Sequence, residues 1–379
     1  MSKCCPHLLY VITEDWFFWS HFRARAVSAR RAGYRVTVCT RVSRYGAAIE
    51  ALGLELIAFD FDRHGCNPLR EWRTIGKLSA IYRRVQPDII HQIALKPILY
   101  GGCASLFNQR VQIINAPVGM GFVFSSQQRL ARLLRPLISL GLRLLLNPPH
   151  SRVVFENRDD LQAAVRKRLV RTKDAVLIPG AGVDLREFQC SIPGAAKHHD
   201  APWVIVVARM LWDKGIGEFV AAAQKLRRQG IRARFVLVGA PDPGNPAAIP
   251  GSQLDAWHHA GIIDWLGPRH DIPALLSRSR IACLPSYREG LPKALLEAMA
   301  AGLPLVTTDV PGCRELVTPN VNGLLVPPRD ADRLAQALAR LLADRGLCER
   351  FGKINRKLVA AHFATEHIEQ ATLALFLKT

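Results

Sequence analysis

Short apolar runs rich in β-branched residues recur along the first half of the chain, separated by segments with helical spacing. Between the first two runs, residues 22–32 have a helical pattern that ends at Gly33, which suits the left-handed position after a helix. The six runs lie at 8–12, 35–39, 54–59, 89–91, 111–115 and 152–155. This alternation predicts a doubly wound parallel sheet.

The same rhythm restarts after residues 179–202, which are rich in Gly, Pro and His and are typical of a linker. Six further strand-like runs follow, at 203–208, 234–239, 262–266, 281–284, 305–307 and 324–326. We therefore predict two Rossmann-like domains, over 1–178 and 203–352, facing each other across a cleft. The carboxyl ends of their strands would line that cleft.

Composition limits the class of protein. The chain has 379 residues, of which 49% are apolar, and a mean hydropathy of +0.08, which excludes a disordered chain. We expect no signal peptide, and no apolar run is long enough to span a membrane. The nine cysteines have neither zinc spacing nor the pattern of a disulfide framework. We expect a reduced, cytoplasmic protein that needs no metal or cofactor.

The positive charge of the chain is unevenly distributed. The net charge is +20, and residues 1–180 hold 27 Lys and Arg against 12 Asp and Glu, whereas residues 181–379 hold 24 against 19. A basic half of this kind is typical of proteins that face nucleic acid, an anionic membrane or a phosphorylated substrate. A genome that favours Arg would explain the excess of Arg but not its asymmetry.

Residues 129–146 form an unusual candidate helix. Arg129, Arg132, Arg135 and Arg143 fall within about 120° of one another on a helical wheel, and leucines cover the remainder. Such a helix either lies on an anionic membrane surface or buries its leucines in the domain core. Both interpretations stay open at this point.

Two carboxylates flank a predicted helix start in the second half. Pro292 suits a first helical position and Gly302 the position after the last, so Glu289 precedes a helix over 292–301 and Glu297 lies within it. The unpaired N–H groups of a helix N-terminus bind phosphate, and carboxylates accept hydrogen bonds from sugar hydroxyls. The pattern favours a nucleotide-sugar site. The alternative is that both acids merely complement the helix dipole.

Two cations follow the predicted strand 203–208. Arg209 and Lys214 would lie at the carboxyl edge of the sheet, where they could neutralise a diphosphate leaving group without a metal. Taken alone, an Arg and a Lys five residues apart would be unremarkable.

Three residues of the first half are candidates for binding an acceptor. His21 and His91 each follow a predicted strand, and histidine can take a hydroxyl proton near neutral pH. A lone histidine is also a common structural hydrogen-bonding group. Lys96 is a candidate for contacting an acceptor diphosphate.

These residues carry a resemblance. Arg209 and Lys214, the Glu289 and Glu297 pair and residues 304–312 (PLVTTDVPG) resemble the retaining family 4 glycosyltransferases, which have the GT-B fold. The resemblance implies that Arg209 and Lys214 bind the donor diphosphate. It implies that Glu289 contacts the transferred sugar, that Glu297 holds the ribose, and that the amides of Gly290 and Leu291 assist.

The resemblance has two further implications in the second half. Residues 267–271 (GPRHD) look like the base-binding segment of the family and add Arg269 to the donor site. A helix over 353–379 is expected from the fold to cross back onto the N-terminal domain.

The first half resembles a narrower group of bacterial enzymes that extend undecaprenyl-diphosphate-linked surface glycans. The resemblance is carried by residues 15–21 (DWFFWSH), 87–91 (PDIIH), 96–101 (KPILYG) and 115–124 (NAPVGMGFVF). The chain departs from many family members because aromatic residues replace the glycine-rich first loop.

Together these features predict a retaining, metal-independent hexosyltransferase of cell-surface polysaccharide biosynthesis. We expect a nucleotide diphosphate sugar, most simply a UDP-sugar, as donor and a polyprenyl-diphosphate-linked oligosaccharide as acceptor. We expect no nucleic acid partner, and a location on the anionic inner face of the cytoplasmic membrane. A nucleotide-sugar 2-epimerase of the same fold is an alternative that needs no lipid partner. A basic nucleic-acid-binding protein is a second, although no binding module of that class is visible.

Overall fold

The computed structural model describes residues 5–61, 68–105, 111–118, 140–188 and 201–377. The chain divides into two compact units. Unit 1 comprises Met1–Ala181 with Glu366–Thr379, and unit 2 comprises Gly182–Thr365. Each unit is built on its own parallel β-sheet.

Unit 1 has a seven-stranded sheet in the order β3-β2-β1-β4-β5-β6-β7, with every pairing parallel. Its strands are β1 (His7–Glu14), β2 (Arg35–Arg41), β3 (Glu55–Ala58), β4 (Ile89–Ile93), β5 (Gln112–Ala116), β6 (Ser151–Phe155) and β7 (Ala175–Leu177). Its helices include α1 (Asp15–His21), α2 (Arg23–Arg31), α3 (Gly46–Ala51), α4 (Pro68–Val85), α5 (Leu95–Ser105) and α6 (Arg158–Arg166), and residues 140–146 are also helical. The sequence analysis missed β7, which has only three residues.

The continuous apolar run of β1 follows from burial on both faces of the sheet. Leu8, Tyr10 and Ile12 belong to one core cluster. Leu9 and Val11 belong to a second cluster that includes residues of α4. Because neighbouring side chains point to opposite faces, a strand covered by helices on both sides is apolar at every position.

Unit 2 has a six-stranded parallel sheet in the order β10-β9-β8-β11-β12-β13. Its strands are β8 (Trp203–Val207), β9 (Arg234–Val238), β10 (Asp264–Trp265), β11 (Ser279–Leu284), β12 (Leu305–Thr308) and β13 (Gly323–Val326). Its helices include α7 (Ile216–Arg228), α8 (Gly251–His259), α9 (Ile272–Arg278), α10 (Lys293–Ala300), α11 (Cys313–Leu316), α12 (Ala331–Ala343) and α13 (Arg345–His362).

The prediction of one helix over 353–379 is wrong. Two helices cover this region, α13 and α14 (Thr365–Leu377), and residues 363–364 between them are not helical. At the break, Phe363 accepts a hydrogen bond from the Val183 amide, and the Thr365 amide donates to Val183. Strand-like pairing with the segment after residue 181 thus replaces helical hydrogen bonds. All of α14 except its first residue belongs to unit 1, where Phe376 lies 5.8 Å from the ring of Tyr34.

The predicted linker begins at the boundary between the units: residues 179–181 belong to unit 1 and the following residues to unit 2. Residues 182–188 belong to that unit, and Val183 pairs with Ala364 in a parallel bridge. Residues 189–200 of the predicted linker lie outside the described residues. Among the described helices none has the length and apolar character needed to span a membrane.

Both sheets reverse their strand order once. In unit 2 the chain runs outward from β8 to β10 and then returns to the other side of β8 with β11. In unit 1 the equivalent reversal lies between β1 and β4. The loops after the two strands at such a point diverge, and the crevice between them is where doubly wound sheets bind ligands.

Candidate functional site

The candidate site lies at the carboxyl edge of the unit 2 sheet. The loops that follow neighbouring strands meet there: residues 208–215 after β8, 239–242 after β9, 285–292 after β11 and 309–312 after β12. These loops contain Arg209, Lys214 and Glu289. The reversal of strand order falls between the first and third of these loops.

Two glycines allow the loops to approach at backbone distance. Gly215 has a φ of +71°, and a Cβ there would lie 2.0 Å from the carbonyl oxygen of Pro285. Gly312 has a φ of +80°, and a Cβ there would lie 2.2 Å from the carbonyl oxygen of Gly290. Only glycine fits such positions. The loop that contains Glu289 is therefore in backbone contact with the loop after β8 on one side and with the loop after β12 on the other.

Lys214 and Glu289 form an ion pair across the point where the strand order reverses. The Lys214 Nζ lies 2.6 Å from the Glu289 Oε1, and the two side chains are 19% and 11% exposed. The Tyr287 amide donates to the carbonyl of Asp213 at 2.9 Å and fixes the two loops beside the pair. An ammonium group has three donors, so one contact with a carboxylate leaves donors for a ligand.

Arg209 is held by a residue that the sequence analysis missed. Its Nη1 lies 2.7 Å from the Oδ2 of Asp242, in the loop after β9. The position of Asp242 just after a strand was the available signal, but a single acid there has no distinctive spacing. The guanidinium has five N–H donors, so this contact leaves others for an anion. The structure thus brings Lys214 to Glu289 and pairs Arg209 with Asp242.

The helix after Glu289 begins as predicted, within one residue. Pro292 is the N-cap residue of α10 and provides no side-chain cap to its first turn. The first turn carries no acidic residue and begins with Lys293. Uncapped N–H groups and the positive end of the helix dipole favour an anion at this point.

Glu297 lies on the second turn of α10, within reach of Lys293. The Lys293 Nζ is 3.2 Å from its Oε1, and the Glu297 side chain is 17% exposed. Burial raises the pKa of Glu297, and the nearby Lys293 only partly offsets this effect. The protein therefore keeps a partly desolvated carboxylate beside the helix N-terminus.

Tyr287, in the loop after β11, contacts two residues that the sequence analysis did not identify. The Tyr287 hydroxyl donates to the Glu218 Oε1 at 2.6 Å, and the Arg329 guanidinium lies 4.6 Å from the centre of the Tyr287 ring. Burial, followed by the neighbouring Glu218, raises the pKa of Tyr287. Glu218 is on α7 and Arg329 follows β13, so their proximity depends on the fold and not on sequence spacing.

Arg269 lies at the same edge of the sheet, in the loop after β10. Its guanidinium donates two hydrogen bonds to the Asp271 carboxylate, from Nε to Oδ1 at 2.8 Å and from Nη2 to Oδ2 at 2.8 Å. The two side chains are 46% and 44% exposed. Near the start of this loop, the Gly267 carbonyl accepts from the Gly239 amide at 2.9 Å. The role of Arg269 stays a prediction.

His91 does not follow its strand, as the sequence analysis predicted, but lies inside β4. Its side chain is 2% exposed and packs against the rings of Tyr10 and Phe22. Burial, together with Arg25, lowers the pKa of His91 to about 3. A neutral ring in the core has no access to an acceptor hydroxyl. The predicted strand, 89–91, was too short. The observed strand β4 continues to Ile93, so His91 lies at its centre.

His21 follows β1 in the chain, but most of α1 lies between them. His21 is the last residue of α1, and β1 ends seven residues earlier, at Glu14. Its ring centre lies 4.4 Å from that of Phe17. Lys96 is near the start of α5, after β4, and its Nζ lies 3.5 Å from the Glu71 Oε1.

The predicted basic helix over 129–146 lies partly outside the described residues. Arg129, Arg132 and Arg135 are among those not described, as are residues 119–124 of the 115–124 segment. In the described part, Arg143 is exposed, and Leu142 and Leu146 are fully buried. Leu140 and Leu144 are 56% and 68% exposed.

The described residues contain no cluster of His, Cys, Asp and Glu that could hold a metal ion. The groups at the unit 2 edge are instead two cations, an uncapped helix N-terminus and two carboxylates. Cations and N–H groups bind phosphate oxygens, whereas carboxylates accept from hydroxyl groups. The arrangement has the chemistry to bind a diphosphate that carries a hydroxyl-rich group on each side.

Comparison with known proteins agrees with this chemistry. The family model for glycosyl transferases group 1 matches residues 191–358, and the model for glycosyl transferase 4-like proteins matches residues 7–146. The chain is 28% identical over 368 residues to the N,N'-diacetylbacillosaminyl-diphospho-undecaprenol alpha-1,3-N-acetylgalactosaminyltransferase of Campylobacter jejuni, covering 94% of each chain. It is 26% identical over 288 residues to the UDP-Gal:alpha-D-GlcNAc-diphosphoundecaprenol alpha-1,3-galactosyltransferase of Escherichia coli, covering 74% of this chain and 72% of that one.

Solved structures share the fold at low sequence identity. Sucrose-phosphate synthase from Thermosynechococcus elongatus has a TM-score of 0.79 at 21% identity and covers 98% of each chain. HepE from Anabaena in complex with UDP-glucose has a TM-score of 0.77 at 18% identity and covers 98% of this chain and 100% of that one.

We predict that Gly215→Ala destabilises unit 2 more than Gly230→Ala does. Both glycines have similar positive φ, +71° and +76°, so both variants meet a left-handed cost of about 1–2 kcal/mol. Only the Gly215 variant also places its Cβ against a carbonyl, which adds about 1–3 kcal/mol. Gly230 has nothing within 4 Å of its added Cβ. Denaturant unfolding of both variants measures the difference, and equal losses would contradict backbone contact at Pro285.

We predict that Glu297→Gln stabilises the folded protein at neutral pH. The pKa of Glu297 is raised in the folded state above its ordinary value of 4.5. The folded protein therefore holds this proton more tightly than the unfolded chain, and stability falls as the pH rises from the unfolded to the folded pKa. The variant should lose this decrease of folding stability with rising pH. Melting temperatures measured from pH 4 to 8 test it, with the exposed Glu349→Gln as control; a less stable Glu297→Gln at neutral pH would contradict it.

Proposed function

The chain is a glycosyltransferase of the GT-B fold, and we propose that it transfers a hexose or N-acetylhexosamine from a UDP-sugar to a polyprenyl-diphosphate-linked glycan, with retention at the anomeric carbon. The observation that carries the donor side is the contact of Lys214 with Glu289 immediately before the uncapped start of α10. This contact supports the proposal, because a cation for phosphate, a helix N-terminus and a carboxylate that can accept hydrogen bonds from sugar hydroxyls are then neighbours.

In the proposed donor site, Lys214, Arg209 and the amides of Gly290 and Leu291 contact the diphosphate. During transfer, negative charge grows on the leaving diphosphate while positive charge spreads over the sugar ring. Fixed cations and N–H groups stabilise the leaving charge without reorganising at the moment of reaction. This role requires no metal ion.

The two acids would hold the groups on either side of the diphosphate. Glu289, paired with Lys214, accepts from hydroxyls of the transferred sugar, and its negative charge also lies near the developing positive charge of the ring. Glu297, one turn or more into α10, accepts from the ribose. Arg269, after β10, is proposed to contact the base.

The proposal that the acceptor is lipid-linked comes from the relatives. The names of the Campylobacter jejuni and Escherichia coli proteins each contain a diphospho-undecaprenol acceptor. In this chain, Lys96 lies after β4, beside the point where the strand order of unit 1 reverses, and is proposed to contact the acceptor diphosphate.

A lipid-linked acceptor requires the enzyme to work at a membrane surface. The exposed Leu140 and Leu144 flank the exposed Arg143 on the described end of the 129–146 segment. Apolar and cationic side chains on one face suit insertion at an anionic interface. We therefore propose peripheral association with the inner face of the cytoplasmic membrane, and no nucleic acid partner.

We predict that Lys214→Ala lowers the transfer rate by about 10²–10³-fold, the usual cost of removing one group that stabilises a leaving charge. Lys225→Ala is the matched control, because Lys225 is also in a 2.6 Å ion pair, with Asp332, but lies on α7 away from the loops. An exposed pair of this kind contributes less than about 1 kcal/mol to stability. Transfer is measured with UDP-sugars and a lipid-linked glycan extract; equal rates for the two variants would contradict the donor site.

Incubation with a UDP-sugar alone separates transfer from epimerisation. We expect no change in sugar configuration without acceptor, and an α-linked product by NMR when acceptor is added. Conversion of the UDP-sugar without acceptor would establish the epimerase instead. A salt-sensitive gel shift with DNA, and no transfer, would support the nucleic-acid alternative.

A further inference from the structure

Tyr287 lies in the loop after β11, two residues before Glu289. Its side chain is half-buried, and its hydroxyl donates to the Glu218 Oε1 at 2.6 Å. Glu218 is on the first turn of α7, four residues after Lys214. The hydrogen bond therefore joins the two chain segments that carry the ion pair of Lys214 with Glu289.

Two further contacts join the same segments through backbone atoms. Gly215 approaches the Pro285 carbonyl, and the Tyr287 amide donates to the Asp213 carbonyl at 2.9 Å. Both contacts involve residues that precede α7. The Tyr287 hydroxyl instead reaches a residue of the helix, so it fixes the loop against a rigid element.

The Glu218 carboxylate depends on this hydroxyl. Its Oε2 is buried and has no hydrogen-bond partner among the described residues, and the Tyr287 hydroxyl is the only donor to its Oε1 there. A buried carboxylate oxygen that loses its donor is strongly disfavoured. A hydrogen bond to an ionised acceptor is also stronger than one between neutral groups. The position of the Tyr287 side chain is therefore closely fixed.

The ring of Tyr287 is also held by a cation. The Arg329 guanidinium lies 4.6 Å from the ring centre, and a cation over an aromatic ring is attracted to it. Arg329 directly precedes Asp330, whose side chain caps the start of α12. The tyrosine is thus fixed at its hydroxyl by α7 and at its ring by the residue before the cap of α12.

We propose that Tyr287 and Glu218 are positioning residues for the ion pair of Lys214 with Glu289. Their hydrogen bond sets where the Glu289 carboxylate lies relative to the transferred sugar, although neither residue touches the reacting atoms. The inference rests on the proposed function for the reaction that this geometry serves.

Other donor contacts do not depend on this hydrogen bond. Arg209 is held by Asp242 in the loop after β9, and Glu297 lies within α10. Both would still bind the nucleotide when the Tyr287 hydroxyl is removed. Loss of the hydroxyl should therefore affect the transition state more than the binding of UDP.

The first test is the kinetics of Tyr287→Phe with a UDP-sugar and a lipid-linked glycan acceptor. The variant removes the hydroxyl and keeps the ring beneath Arg329. We expect kcat to fall about tenfold, because small displacements around a reacting centre slow the reaction, and the KM for the UDP-sugar to change less than about threefold. An unchanged kcat with a lower melting temperature would show a purely structural role and overturn the proposal. A raised KM with an unchanged kcat would overturn it as well.

Variants at Glu218 show whether the two residues act through one hydrogen bond. Glu218→Ala should lower kcat as much as Tyr287→Phe does, and the double variant should lose no more than either single variant, because both remove the same contact. Glu218→Gln keeps an oxygen that accepts the hydroxyl and should retain most of the activity. Losses that multiply in the double variant, to about a hundredfold, would contradict a shared role.

A matched control is available in unit 1. Tyr82 is 2% exposed, and its hydroxyl lies 3.4 Å from the Gln92 Nε2. Tyr82→Phe therefore also removes one phenol hydroxyl from a hydrogen bond, but in the other unit. The kcat of this variant should stay within about twofold of the wild-type value. Equal losses of kcat in the two phenylalanine variants would overturn the proposal.

Amide hydrogen exchange tests the geometry without any substrate. The amide of residue 287 donates to the Asp213 carbonyl, so its exchange should be about tenfold faster in Tyr287→Phe than in the wild type and unchanged in Tyr82→Phe. Equal exchange in all three proteins would overturn the proposal. If the wild type transfers no sugar while the exchange difference persists, the proposed function fails and the attachment of the loop to α7 stands.

Discussion

The donor site depends on one constraint: two loops that leave the unit 2 sheet in opposite directions must meet again at backbone distance. Gly215 against the Pro285 carbonyl makes that approach possible, and the ion pair of Lys214 with Glu289 lies directly beside it. A side chain at residue 215 would separate the loops and place the cation away from the start of α10. The chemistry of the site thus follows from a position that only glycine can occupy.

The parallel sheet explains why these groups meet although the sequence separates them. Lys214 and Glu289 are 75 residues apart, and they follow the two strands, β8 and β11, between which the strand order reverses. Unit 1 repeats this architecture, with its reversal between β1 and β4. Its edge carries Lys96, near the start of α5. A soluble donor and a lipid-linked acceptor would accordingly be bound by separate units.

Much of the fold could be predicted from the sequence because apolar runs report burial directly. The three-residue strand β7 was missed, and the two-residue strand β10 was shorter than predicted. Strands this short have too few residues to show a pattern of apolar positions. His91 was misplaced because an apolar run does not show where a strand ends. The helix after residue 353 was predicted as unbroken, since the pairing of Val183 with Ala364 is a contact distant in sequence. Asp242, Glu218 and Arg329 were missed for the same reason: their roles arise only when the sheet assembles.

The most direct test of the donor site is a crystal structure of the chain with bound UDP. The account predicts that phosphate oxygens lie within hydrogen-bond distance of the Lys214 Nζ and of the amides that precede α10, with Glu297 on the ribose. A diphosphate bound elsewhere on unit 2, with Lys214 still held only by Glu289, would contradict it.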